Sequence, residues 1–140
     1  MSFHTEPITE LGEAECWRRL SEAEVGRLAL APAGEVDVFP VNFVISKGAL
    51  YFRTAPGSKL LELSVNPDVA FEIDGWDERS AFSVVLKGVA ERLESQTEID
   101  EADLLPLAPW APTLKYRWVR INPTSVSGRS FVRGGEPERY

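Results

Sequence analysis

Through most of this chain apolar residues recur at every second position, in short runs interrupted by Gly, Pro, Asn and Ser. A period of two sends successive side chains to opposite faces of a strand, whereas a helix needs apolar residues three and four apart. Residues 25–31 (VGRLALA) read as a first strand and residues 32–35 (PAGE) as its turn. Residues 36–46 form a second, long apolar run. Pro40 inside it has no N–H to give a ladder, so it demands a sheet edge, a bulge or a bend. Ser46-Lys47-Gly48-Ala49 is a tight connection to residues 50–54 (LYFRT), which makes these two runs a hairpin. Residues 69–75, 81–93, 116–121 and 125–132 supply the remaining strands. Sequential hairpins of this kind predict a mainly β fold, a small antiparallel barrel, rather than the alternating strand–helix order of a parallel sheet.

Helical spacing is confined to short stretches. Residues 13–20 (EAECWRRL) place Cys16, Trp17 and Leu20 on one face of an amphipathic helix. Ser21 to Glu24 has the form of a capping box, which predicts a further helical turn leading into Val25. Residues 59–63 predict a short helix ending before Asn66-Pro67, because the residue before a proline is driven out of the helical region. Residues 94–105 are acidic and helix-prone, and residues 106–112 form a proline-rich loop. At 140 residues the chain is the size of one domain, with a helical segment over 1–24, a barrel over 25–132 and a tail over 133–140.

Charge narrows the function classes. The net charge of −7 repels phosphate backbones and anionic lipid surfaces, so neither nucleic acid nor a membrane is an expected partner. The charge is uneven: residues 1–114 hold 9 basic and 20 acidic side chains, net −11, whereas residues 115–140 hold 6 and 2, net +4. Internal pairing accounts for that asymmetry, and so does an anion held where the tail folds back. The single cysteine, Cys16, permits no disulfide framework, and no zinc-like spacing occurs. The N-terminus is acidic, without the basic start and apolar run of a signal peptide, and no run approaches the ~20 apolar residues of a membrane span. A cytoplasmic protein is expected.

The segment Tyr51-Phe52-Arg53-Thr54-Ala55-Pro56-Gly57-Ser58-Lys59 is a strand end, a turn and a helix start in succession. A helix start offers unpaired N–H groups, and Ser58 and Lys59 add a hydroxyl and an ammonium, which together make a phosphate cradle. The same residues also read as a capped helix with Lys59 in water. Arg53 shares its strand face with Tyr51 and suits an anion or a polarised heterocycle. Tyr116, Trp118 and Arg120 form an aromatic–aromatic–basic stripe that is either core or a stacking surface for a planar ligand. Glu72 and Asp74 have the spacing of an acid pair on one strand face, and His4 lies near the terminus. No Ser-His-Asp set, Cys-His pair, dinucleotide fingerprint or phosphate-binding P-loop occurs, so redox or acid–base work would fall to an organic cofactor.

The order of these features resembles the pyridoxamine 5′-phosphate oxidase-like family of flavin-binding split barrels. The resemblance rests on Val25-Gly26-Arg27-Leu28-Ala29, Pro40-Val41-Asn42-Phe43, Tyr51-Phe52-Arg53-Thr54 with Gly57-Ser58-Lys59, Asn66-Pro67-Asp68-Val69-Ala70-Phe71-Glu72 and Phe82 to Gly88, followed by Arg117 to Pro123. It implies a six-stranded antiparallel split β-barrel of Greek-key type that forms a homodimer, with FMN in clefts between protomers, acting as an oxidoreductase on a small molecule. Carried over, Arg53, Ser58 and Lys59 hold phosphate. Pro40, Val41, Asn42 and Phe43, with Phe52 and Thr54, flank the ring system, Ser83 and Val84 add contacts, and Trp118 and Arg120 close the cleft from the partner chain. Some members use the deazaflavin F420 instead, and eleven Arg against four Lys keep that cofactor in view. A flavin-binding protein without turnover is the third reading on the same fold.

Overall fold

The computed structural model describes residues 7–108, 110, 117–136 and 138. Its elements are, in chain order, β1 (Ile8–Leu11), α1 (Glu13–Glu22), β2 (Val25–Leu30), a 3₁₀ turn (Pro32–Gly34), β3 (Asp37–Asn42), β4 (Val44–Ser46), β5 (Ala49–Thr54), α2 (Ser58–Val65), β6 (Asp68–Trp76), β7 (Ser80–Arg92), α3 (Gln96–Asp103) and β8 (Arg117–Val132). All pairings among these strands are antiparallel, in the order β3-β2-β6-β7-β8-β5-β4, with β1 added to β8. The sheet curls into a split barrel that carries three short helices, the mainly β architecture expected, with eight strands rather than six. β8 is its spine. One side of β8 pairs with β7 along its length, and the other pairs first with β5 and then with β1.

Period-two patterning decides which face turns inward. Leu28 and Leu30, Leu50 and Phe52, Phe71 and Ile73, Val84 and Leu86, and Val119 and Ile121 all lie within 1% of full burial in one core. Each large side chain buried there contributes roughly 1.5–3 kcal/mol of transfer free energy. Phe43 meets Phe71 edge to face at 4.7 Å. α1 closes one side of this core with Cys16 and Leu20. A second, smaller cluster lies on the opposite face of the sheet, where Ala102 and Ile99 of α3 pack with Trp118, Tyr51 and Leu93.

Three expectations from the sequence change. The capping box at Ser21 starts no helical turn: Ala23 is already extended (φ −87°, ψ 155°), and the Ser21 hydroxyl donates to the Trp17 carbonyl inside α1. Residues 36–46 are two strands broken at Phe43, whose N–H turns away to the Glu24 carbonyl. Pro40 is accommodated because β3 is the edge of the sheet. The two closing strands are one, running through Asn122-Pro123-Thr124, where a bulge opposite Lys87 and Gly88 absorbs the extra residue. β1 has no sequence expectation behind it. The turn at Lys47-Gly48 has positive φ at both residues (49° and 72°), the conformation of a two-residue hairpin loop. Tyr116 and His4 lie outside the described residues, as does part of the 106–112 loop. No helix among the described residues is long and apolar enough to cross a membrane.

Candidate functional site

Arg53 occupies the most unusual electrostatic position in the molecule. It projects from β5 on the α3 side of the sheet, next to buried Phe52 and Thr54, which point into the barrel. Directly opposite on β8 stands Trp118, and the Arg53 guanidinium carbon lies 5.3 Å from the centre of its indole ring. Nη2 of Arg53 donates to the Leu107 carbonyl at 3.3 Å, while its buried Nε has no hydrogen-bond partner. Among the described residues no carboxylate forms a salt bridge with this cation. A guanidinium carries five donors, and a donor buried without a partner is costly. The site is therefore built to accept an anion or an electron-rich group.

Trp118 is fixed from behind. Its Nε1 donates to Asp103 Oδ1 at 2.7 Å, and its ring meets Tyr51 edge-on at 6.4 Å, leaving the indole 2% exposed. Arg120, its neighbour on the same strand face, is already engaged: Nε donates to Glu91 at 2.8 Å and Nη1 to Glu98 at 2.6 Å. The Tyr51 oxygen and Glu91 together push the Arg120 guanidinium above its ordinary pKa.

α2 begins five residues after Arg53. Its cap is Gly57, which supplies no side-chain bond, so Ser58 is its first helical residue rather than its cap. The Lys59 ammonium lies 5.0 Å from the centre of the Phe39 ring on β3. One turn along, Glu62 is held above the ordinary carboxylate range by its hydrogen bond to Asp37 and by burial, with Lys59 opposing. Pro40 is exposed one residue beyond Phe39, while Val41 and Phe43 bury their side chains in the core and leave only backbone to face a ligand. Asn42 is committed to structure, its Oδ1 accepting from the Trp110 N–H at 2.9 Å and its Nδ2 donating to the Glu24 carbonyl at 3.3 Å.

Val84 is fully buried, and Ser83 sits on the other face of β7, opposite Arg129 of β8 and Asp74 of β6. Ser83 and Arg129 line a hollow of about 530 Å³. Glu72 and Asp74 are bridged by one residue: Arg27 reaches Glu72 at 2.7 Å and Asp74 at 3.1 Å. Burial, with Asp74 beside it, raises the Glu72 pKa. Within one chain the structure thus brings Arg53 and Trp118 together, sets Lys59 beside β3, and leaves Ser83 beside Arg129, far along β8 from that pair. Sequence reasoning missed Asp103, Leu107 and Phe39, which position this set. No metal-binding cluster of His, Cys, Asp or Glu occurs among the described residues.

Comparison with known proteins places this arrangement in context. A family model described as pyridoxamine 5′-phosphate oxidase matches residues 12–130. A Corynebacterium glutamicum structure, provisionally named a pyridoxamine 5′-phosphate oxidase, superposes with a TM-score of 0.87 at 44% identity, over 96% of this chain and 100% of that one. An FAD-binding protein from Mycobacterium smegmatis gives 0.78 at 34% identity, over 89% and 99%. An FAD-binding protein from Mesorhizobium loti gives 0.74 at 28% identity, over 88% and 97%.

Proposed function

Because this chain belongs to the pyridoxamine 5′-phosphate oxidase family, we propose that it is a flavin-dependent oxidoreductase, cytoplasmic and homodimeric, that binds FMN and acts on a small molecule. The observation that carries the reading is the half-buried Arg53 guanidinium, set over the Trp118 ring and with a buried, unpartnered Nε. That chemistry suits the phosphate or the electron-rich ring edge of a flavin. The riboflavin 5′-phosphate moiety is common to FMN and FAD, so the FAD named in two relatives supports the same half of the ligand.

In this reading the flavin, when bound, supplies the hydride and electron chemistry that the chain's side chains lack. Arg53 holds negative charge, and Trp118, locked by Asp103, keeps the guanidinium in place and excludes water from one side. Ser58 and Lys59 at the start of α2 add a hydroxyl and an ammonium to the phosphate end. The backbone of Pro40 to Phe43 flanks the ring system, and Ser83 with Arg129 contributes from its own end of β8, which a second protomer brings to the cleft. Exposed Val38 and Val89 on the outer sheet face, with Val36 just before β3, support such pairing, since large apolar side chains there favour a covering surface.

The test is anaerobic reduction of the FMN-loaded protein by NADH or NADPH, followed by loss of the flavin's visible absorbance. Bleaching faster than that of free FMN supports the oxidoreductase. Binding without accelerated bleaching by any donor tried points to a flavin-holding protein instead.

A further inference from the structure

A second cavity, of about 570 Å³, lies under the flank of α2 that carries Leu60, Leu61 and Ser64, whereas Lys59 and Glu62 belong to the flank facing β3. Neither Arg53 nor Lys59 lines it, although Pro56 and Gly57, just before α2, do. Its size falls inside the ~300–1,000 Å³ range of small-molecule pockets.

Strand register explains its chemistry. Arg92 of β7 stands directly opposite Val119 of β8, so Arg92, Val119 and Arg117 share the face that carries the barrel core. Ala90 and Val119 are the last buried residues of that face, and the two arginines follow them at the open end of the barrel. Arg92 and Arg117 are diagonal neighbours across the ladder, a placement that puts Cβ atoms about 7–8 Å apart and lets two long side chains reach one group. Glu94 is the single carboxylate on the rim, so the rim carries net positive charge. Opposite, Leu60 and Leu61 give the cavity an apolar wall, and Leu61 remains 68% exposed.

We infer that this cavity binds an amphipathic monoanion, a carboxylate or comparable acid on an apolar body, with the head group between Arg92 and Arg117 and the body against Leu60, Leu61 and Ala90. The site does not depend on the flavin reading, because its charged residues, Arg92 and Arg117, have no part in that reading.

Octanoate, with octanamide as its neutral counterpart, tests it on the full-length protein through amide chemical shifts. Saturable octanoate shifts are expected at Leu60, Leu61, Ala90 and Arg92. Arg92→Gln weakens them by about tenfold, the effect of one lost charged hydrogen bond. Leu61→Glu, at an exposed position that leaves the core intact, blocks binding by placing a like charge in the mouth. FMN affinity is unchanged in both variants, and octanoate still binds the FMN-saturated protein. Equal affinity for octanamide, insensitivity to both substitutions, or displacement of octanoate by FMN would overturn the proposal. Loss of FMN binding with octanoate binding intact would overturn only the flavin reading.

Discussion

Arg53 and Trp118 stand directly opposite each other on β5 and β8, with the guanidinium carbon 5.3 Å from the indole centre and the indole N–H held by Asp103. The pair gives a half-buried cation an aromatic face and one carbonyl, with no salt bridge to it among the described residues. A cation over an aromatic ring is worth ~0.5–2 kcal/mol, and the unpartnered Nε is a donor that a ligand can satisfy.

Arg53→Ala weakens FMN binding by about 1.5–3 kcal/mol, the range for a charged hydrogen bond. Lys59→Ala has an effect of the same size. Calorimetric titration checks both, and unchanged affinity in the two variants removes the phosphate assignment.

Asp103 is a positioning residue for the Trp118 ring. Trp118→Phe and Asp103→Ala, each of which removes the hydrogen bond, destabilise the fold by about 1 kcal/mol or more. The double variant loses less than the sum of the two. Urea unfolding of all four proteins measures the cycle, and strict additivity means that the 2.7 Å bond contributes nothing.

Gly88→Ala destabilises by about 1–3 kcal/mol or more. An added Cβ would lie 2.4 Å from the Asn122 carbonyl oxygen, a backbone atom at the bulge that cannot step aside. Retained urea stability would show that the bulge relaxes.

The Arg18 guanidinium, with Arg19 assisting, lowers the Glu15 carboxyl from the usual mid-4 range to about 2. A depressed folded pKa means that the contribution is complete above the unfolded value and is lost as pH falls through the folded one. Stability from this pair therefore declines between about pH 4.5 and 2. Carbon-detected titration of Glu15 reads the midpoint directly. Because the pair is exposed, high salt moves that midpoint back up.

Much of the barrel is legible in the sequence because one face of each strand must be buried. Leu50 and Phe52 alternate with Tyr51 and Arg53, and only a strand puts the first pair in the core and the second outside. β1 is not legible: Ile8-Thr9-Glu10-Leu11 is short and mostly exposed, and its reason for being a strand is residues 128–131, far along the chain. The break at Phe43 and the join through Pro123 are likewise set by partners, the Glu24 carbonyl in one case and the bulge beside Gly88 in the other. The candidate site divides in the same way. Arg53, Lys59 and Trp118 stand out by residue type and spacing. Asp103 and the Leu107 carbonyl enter only through the folding of α3 and the segment after it, and an unpartnered Nε is a property of three-dimensional burial alone.

Titration of the purified protein with FMN, riboflavin and F420, followed by quenching of tryptophan fluorescence, tests the flavin site most directly. The account predicts saturable FMN binding, weaker riboflavin binding because the phosphate is missing, and a fall of FMN affinity towards the riboflavin level in Arg53→Ala. Binding of F420 in preference to FMN, equal affinity for FMN and riboflavin, or binding of neither would contradict it.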